Sequence, residues 1–333
     1  MSTKVTMADI AQALDVSAVT VSRALSGKDG VGDAMREKIL QKAADLGYQV
    51  RPAGSFQLSG QTIGILISSR FIGVDHSFYW ALYEQILERL SENDAFGILE
   101  PVKKEEESRC EMPRLVRTGR AQALLVVGHL HEAYLRMLST AGLPLVQLDD
   151  YTAGAHLDTV ISDGYYGMYF MTDYVLRRGH REVAYLGQVG ATSSITDRYY
   201  GYCRAMREWG VPLREDWIIP DRQENCYLDV VLPEKLPTAF VCNCDMIAYK
   251  LIQRLSERGM RVPEDVSIVS FDGFAPSPLP QEITTYAVDM AGMARASVEQ
   301  LSSRAAHPGH PPELQIIPGR LREADSVQIM HIE

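Results

Sequence analysis

From Gln61 to Gly273 the chain repeats one pattern, a short apolar run followed by an amphipathic stretch and then another run. The runs are TIGILIS (62–68), FGILE (96–100), ALLVVG (123–128), PLVQLD (144–149), EVAYLG (182–187), TAFVC (238–242) and VSIVSFD (266–272). They are continuous rather than alternating in polarity, which fits strands buried on both faces. Between them lie helical patterns such as YWALYEQILERL (79–90) and YGMYFMTDYVLRRG (166–179). Strand–helix alternation predicts parallel sheets with crossover helices. Seven strands with a pause near 150–162 predict two sheets and hence two lobes, and ligands in such folds sit beyond the carboxyl ends of the strands.

The first sixty residues follow a different rule. Thr6 is placed to cap a helix with Ile10, Ala11 and Leu14 inward, and Ser17 to cap a second helix, Ala18 to Leu25, with Val21 and Leu25 inward. A third amphipathic helix is expected at about 34–46 with Ile39, Ala43 and Leu46 inward. The second helix keeps an outward face of Ala18, Val19, Ser22 and Arg23. Small apolar residues, a hydroxyl and an arginine on a short helix fit the major groove, where arginine pairs with guanine and methyls touch thymine. A three-helix unit that binds protein is the other reading of this pattern.

Charge bears on that choice. The whole chain carries −10, which argues against nucleic acid, yet residues 1–60 carry +1 and the remainder −11. The acidity belongs to the long C-terminal part and does not exclude DNA as a partner of the head. At 46% hydrophobic and 23% charged, the composition is that of a globular protein rather than a disordered or collagen-like one. The five cysteines are odd in number and scattered, and are expected as reduced thiols in a cytoplasmic protein. Cys242-x-Cys244 lacks a matching Cys or His pair and is expected at a buried strand end, so no metal site is assigned. Residues 1–10 show no apolar signal core, and no stretch is long enough for a membrane span.

The segments VTMADIAQALDVSAVTVSRALSG and VGDAMREKILQKAADLGY together resemble the head of the LacI/GalR family of bacterial transcriptional regulators. That resemblance implies a helix-turn-helix domain over 1–48, with the positions of Ala18, Val19 and Arg23 governing sequence choice. Thr6, Ser17, Thr20 and Ser22 are counted with them at the DNA surface. It also implies a hinge over 49–61, in which Leu58 matches the leucine wedged into the minor groove and Arg51 serves phosphates. QVRPAGSFQLSG runs one residue longer than the family pattern and carries Gly54 inside the expected hinge helix, where glycine costs about 1 kcal/mol relative to alanine.

The likeness continues through RRGHREVAYLG, DRYYGY, CDMIA and VPEDVSIVSFDG. It implies a two-lobed α/β effector domain over 62–333, like the type I periplasmic binding proteins. The N-lobe is expected over about 62–160 and 290–318, the C-lobe over about 161–289 and 319–333. Independently of family, Asp149, Asp245 and Asp272 stand at strand ends, Asp163 enters the second lobe and Arg198 opens a helix. Carboxylates and a guanidinium converging on a cleft suit vicinal hydroxyls, and Phe78, Tyr79 and Trp80, after the first strand, can wall a sugar ring. Each strand-end aspartate also has an ordinary reading as a helix cap. The resemblance assigns Asp163, Arg198, Asp245 and Asp272 to the effector site and makes His180 structural. Cys244 and Ala324 depart from residues common in the family, so the effector's identity does not carry over.

The expectation is a cytoplasmic, ligand-responsive repressor of a carbohydrate-use operon. It would bind a pseudo-palindromic double-stranded operator as a homodimer, with a tetramer left open, and would need no cofactor and no membrane. A purine- or nucleoside-responsive repressor of the same architecture remains open. A solute-binding protein or a Rossmann-type enzyme are the other classes. The chain has no GxGxxG or phosphate loop, no HExxH and no nucleophile elbow, so no enzyme is expected.

Overall fold

A computed structural model describes residues 7–14, 16–17, 20–21, 24, 31–45, 58–72, 77–223, 226–274 and 281–330. The chain divides into two compact units, Met1–Gln57 with Ala305–Pro308 and Leu58–Arg304 with Gly309–Glu333.

In the first unit, helix α1 (Met7–Leu14) and helix α2 (Asp33–Asp45) flank a helical stretch that includes Thr20, Val21 and Ala24. The amide of Thr20 donates to Ser17 Oγ at 3.0 Å, so Ser17 satisfies an N–H that a helix start leaves without a partner. Ile10, Ala11, Val21, Ala24, Ile39 and Ala43 form the core, with Leu14, Val16 and Val31 packed on it. Leu25 and Leu46, expected in that core, lie outside the described residues.

The second unit is built on two six-stranded sheets. Strands β1 (Thr62–Ser68), β2 (Phe96–Val102), β3 (Ala123–Val127), β4 (Leu145–Leu148) and β5 (Asp158–Ser162) belong to the first. Helix α3 (Phe78–Ser91) joins β1 to β2, and helix α4 (Glu132–Ser139) joins β3 to β4. After β5 the chain crosses to the second lobe as helix α5 (Gly164–Arg177), strand β6 (Val183–Leu186) and helix α6 (Ser193–Glu208). The two-residue strands β7 (Ile218–Ile219), β8 (Arg222–Gln223) and β9 (Cys226–Tyr227) follow, then β10 (Ala239–Cys242) and helix α7 (Asp245–Glu257). Strands β11 (Ser267–Asp272) and β12 (Thr284–Ala287) complete this passage. Helix α8 (Met290–Ala306) returns the chain to β13 (Leu314–Ile317) in the first sheet, and β14 (Arg320–Arg322) lies in the second.

The sheet orders are β13-β5-β4-β3-β1-β2 and β14-β12-β11-β10-β6-β7. All pairings in the first are parallel, and in the second only β14 runs antiparallel. The chain therefore passes between the sheets three times. Each of the seven apolar runs forms a strand. The pause near 150–162 is itself partly a strand, β5, which the sequence pattern did not reveal. One further expectation is corrected at β2. As an edge strand it is not covered on both faces, and Phe96 and Ile98 are 64% and 39% exposed.

Apolar layers form on both faces of the second sheet. Met168, Met171, Val175, Tyr185, Tyr202 and Phe271 pack together on one, and Phe240, Cys242, Cys244, Ile247, Leu251 and Ile268 on the other. Cys242 and Cys244 thus lie at a buried strand end. No helix among the described residues is long and apolar enough to cross a membrane.

Candidate ligand-binding site

The carboxyl ends of the strands of both sheets border one cavity of about 350 Å³. The first lobe contributes Arg70 and Phe71 after β1, Ser77, Phe78 and Tyr79 at the start of α3, and Asp149 after β4. The second contributes Thr192, Ser194, Ile195 and Arg198 around the first turns of α6, and Arg222 and Tyr227 from the β8–β9 hairpin. Asn243, Cys244 and Met246 follow β10, and Asp272 and Phe274 close the floor after β11.

Two of the acids stand on unusual backbone. Asp149 has φ 66° and Asp272 φ 105°. A residue with a Cβ enters this region at a cost, and such positions cluster at functional sites. Arg198 is brought to the floor by tight helix packing. A Cβ on Gly201, three residues later, would lie 2.2 Å from the carbonyl oxygen of Tyr165, so only glycine lets α6 settle this close to α5.

Buried charge organises the floor. Arg198 is 5% exposed; its Nη1 donates to the Asn243 carbonyl at 2.8 Å and its Nη2 lies 3.3 Å from Asp272 Oδ1. Its guanidinium also stacks 4.1 Å from the centre of the Phe271 ring. Burial pushes the Asp272 carboxyl up to about 6 against the opposing pull of Arg198 and Arg222. Burial likewise pushes Asp149 up to about 7, with Arg198 pulling it down and the charge of Asp272 pushing it up. A buried carboxyl resists ionisation unless partners repay the lost hydration.

A second cluster holds the side wall. Asp221, fully buried, accepts from the Gln188 amide at 2.7 Å, from Asn243 Nδ2 at 2.6 Å and from Arg222 through Nε and Nη2 at 2.6–3.1 Å. This arrangement fixes two cavity-lining residues at once. Cys244 Sγ lies 3.7 Å from both Arg222 Nη2 and the Tyr227 hydroxyl, and burial pushes its thiol up to about 11. Three polar atoms at the cavity, Asp149 Oδ1, Arg198 Nε and Asn243 Oδ1, are buried without a partner. Native proteins rarely leave such atoms unsatisfied, so a ligand rich in donors and acceptors fits here.

Of the seven residues expected in the pocket, Phe78, Asp149, Arg198 and Asp272 line it together. The other three do not. Trp80 is 41% exposed with its ring 5.5 Å from Tyr83, because two residues along a helix turn a side chain by about 200° and carry it away from the face of Phe78. Asp163 caps α5, accepting from the Tyr166 amide at 3.1 Å. Asp245 does not line the cavity and accepts from Thr285 Oγ1 at 2.7 Å. The residues on either side of it, Cys244 and Met246, line the wall instead. His180 is buried between Thr238 Oγ1 and the Gln328 carbonyl, a structural placement.

Sequence reasoning passed over Asp221, Arg222, Tyr227 and Asn243. The hairpin strands are two residues long and carry no periodicity. Tyr79, expected with Phe78 as an apolar wall from its place after the first strand, lines the cavity beside it. Among the described residues no group of three or more His, Cys, Asp or Glu could hold a metal ion.

In the head, Ser17 is exposed, its hydroxyl 2.8 Å from that of Thr20, on the solvent side of the second helix start. Thr6, Ala18, Val19, Ser22, Arg23 and Arg51 lie outside the described residues. Leu58, expected as a wedge for DNA, is only 7% exposed before β1, so it is not presented as a wedge here.

Two family models match this chain. Residues 6–50 match the bacterial regulatory proteins of the lacI family, and residues 172–327 match the periplasmic binding protein-like domain. The head is thus of the lacI family, and a periplasmic binding protein-like domain follows it. Like the LacI-family regulators, it joins a helix-turn-helix DNA-binding head to an effector-binding domain. It is 29% identical over 285 residues to the HTH-type transcriptional repressor PurR of Vibrio parahaemolyticus, covering 80% of this chain and 81% of that one. To PurR of Pasteurella multocida it is 26% identical over 280 residues, with 80% and 81% covered. Among solved structures, the transcriptional regulator CelR–cellobiose complex aligns with a TM-score of 0.68 at 21% identity, over 97% of this chain and 99% of that one. The lac repressor dimer bound to operator and the anti-inducer ONPF aligns at 0.64 and 20% identity, over 98% and 100%. These relatives are transcriptional regulators rather than enzymes.

Proposed function

We propose that this LacI-family regulator is a cytoplasmic repressor whose operator binding is relieved by a sugar held between the lobes. The observation that carries the reading is the meeting of Asp149, Arg198 and Asp272 with the aromatic walls Phe78, Tyr79 and Tyr227 in one cavity. The unpartnered Asp149 Oδ1 and Asn243 Oδ1 accept, and Arg198 Nε donates. Sugar hydroxyls do both, and a ring with its hydroxyls turned to these atoms rests its apolar face on the aromatics. Phe274 and Met246 add to the apolar lining.

A purine or nucleoside is the second reading. It is favoured by the repressors named PurR among the relatives and by aromatic walls suited to a flat ring. Calorimetric titration of the full-length protein with a panel of pentoses, hexoses, disaccharides, purine bases and nucleosides separates the two. Gel shifts on palindromes near its own gene then show whether the bound compound releases or recruits the protein. Failure to bind any such palindrome under all these conditions would overturn the regulator reading.

The operator would be pseudo-palindromic because one recognition helix reads few base pairs and a two-fold dimer doubles the site. The exposed apolar residues Phe96 and Ile98 on the edge strand β2 support self-association of the effector domain. A tetramer has no such support. In this reading Leu58 leaves its buried position when the 49–61 segment engages DNA.

A further inference from the structure

Next to the cavity, the same two segments that line it also hold each other. Asp149 faces the cavity, whereas its neighbour Asp150 turns toward the second lobe and is 1% exposed. Asp150 Oδ1 accepts from the Ser193 hydroxyl at 2.5 Å and from the Ser193 amide at 3.1 Å. The Ser193 hydroxyl in turn accepts from the Tyr151 amide at 3.1 Å. Ser193 is the first residue of α6, and its N–H is one of those a helix start leaves without an intrahelical partner. The partner it finds is a carboxylate from the opposite lobe, the sign of charge that a helix N-terminus favours. Thr192 and Ser194, on either side of Ser193, line the cavity, and Arg198 follows one turn later.

The other oxygen of Asp150 is held from its own lobe. His129 Nδ1 stands 2.8 Å from Oδ2, and Gln147 Nε2 donates to it at 3.3 Å. The carbonyl of His129 accepts from Nη2 of Arg70, a cavity residue after β1. His129 and Gln147 thus fix the carboxylate from behind and aim its free edge at α6.

We propose that Asp150 is a positioning residue for the effector cavity: it latches the first turn of α6 across the lobes, and so couples lobe closure to the placement of Thr192, Ser194 and Arg198. The inference rests on reading the cavity as a ligand site, but the latch is a property of the lobes and can be tested without any ligand. Three bonds meet at Ser193, two to Asp150 and one to the backbone beside it. Losing them frees the lobes to part while leaving each sheet and its helices intact.

The test uses the full-length chain with a fluorescent donor–acceptor pair at Glu111 and Arg207, one on each lobe, introduced through an unnatural amino acid so that the cysteines stay native. Single-molecule distance distributions are recorded with nothing added for the wild type, Asp150→Ala, Ser193→Ala and the double variant, alongside thermal unfolding. Each single variant is expected to lose most of the short-distance population. The double variant is expected to go no further than Asp150→Ala alone, since both substitutions break the same contact. His129→Gln, which unseats the carboxylate without removing it, is expected to give a smaller loss. Ser193→Ala removes only a hydroxyl and guards against a variant that fails to fold. Unchanged distributions in the folded variants would overturn the latch, as would additive losses in the double variant. If no sugar or purine ever binds while these distances shift as expected, the effector reading fails and the latch stands.

Discussion

Arg198 and Asp272 form a buried ion pair, 3.3 Å apart at the floor of the cavity, and each is also engaged beyond the pair. The arginine holds the Asn243 carbonyl and stacks on Phe271, and the aspartate sits on left-handed backbone. Their geometry makes the pair both part of the fold and part of the binding surface.

Asp272→Ala should therefore show two effects. It leaves a buried guanidinium without its counter-charge, a loss of about 3–5 kcal/mol in the stability of the effector domain. It should also abolish the ligand response while the separate head keeps its operator affinity. Chemical denaturation measures the first and gel shifts with and without ligand the second. A variant that responds normally would remove Asp272 from the site.

Asp245 leads to a pH prediction. Its carboxyl is pushed up to about 7, first by burial and then by the charge of Asp272. In the unfolded chain the same group titrates near 3.8. Between these values the folded protein holds a proton that the unfolded chain has released. The stabilisation is thus complete below about pH 4 and is lost as pH rises through 7. Asp149, at about 7, and Asp272, at about 6, act in the same direction. The unfolding midpoint of the effector domain should fall from pH 4 to pH 7 for these groups, and Asp245→Asn should flatten the fall. An identical slope in the variant would show that Asp245 ionises normally in the fold.

Removing Asp221 should disturb the side wall from behind. Asp221→Ala strips Arg222 and Asn243 of their common anchor and leaves a buried arginine uncompensated, again a cost of about 3–5 kcal/mol. Asp221→Asn keeps the shape and should cost less. Both should weaken ligand binding although neither substitution touches the cavity, and calorimetric titration would read the difference.

In the head, Arg23→Ala should weaken operator binding by about 1–3 kcal/mol and relax preference at one base position. Leu58→Ala should harm specific binding more than nonspecific binding. Competition gel shifts against mismatched operators check both. Equal losses on specific and nonspecific DNA for Leu58→Ala would reduce 49–61 to a connector.

The parallel sheets and the location of the cavity were legible because strands buried on both faces leave continuous apolar runs, and their carboxyl ends were marked by Asp149 and Asp272. Strands β5 and β12 escaped notice because Asp158, Thr159, Thr284 and Thr285 are polar yet buried, satisfied by partners distant in the chain. Arg304 pairs with Asp158, and Thr284 bonds to Ala324 and Ser326. Nothing local announces such partners. Trp80 and Asp245 went astray for a different reason. Being beside the right residue in sequence places a side chain about 100° away on a helix, and the first turn of α7 sends Asp245 inward while its neighbours face the cavity.

The three passages of the chain between sheets have a consequence for synthesis on the ribosome. The last strand of the first sheet, β13, and the edge strand of the second, β14, arrive within ten residues of one another, Leu314 to Arg322. The first sheet lacks a strand until β13 has emerged and the second until β14 has, whereas the core of the head is in hand after residue 43. A nascent or prematurely terminated chain would carry a finished DNA reader attached to two unfinished lobes, each with a bare sheet edge open to chaperones and proteases.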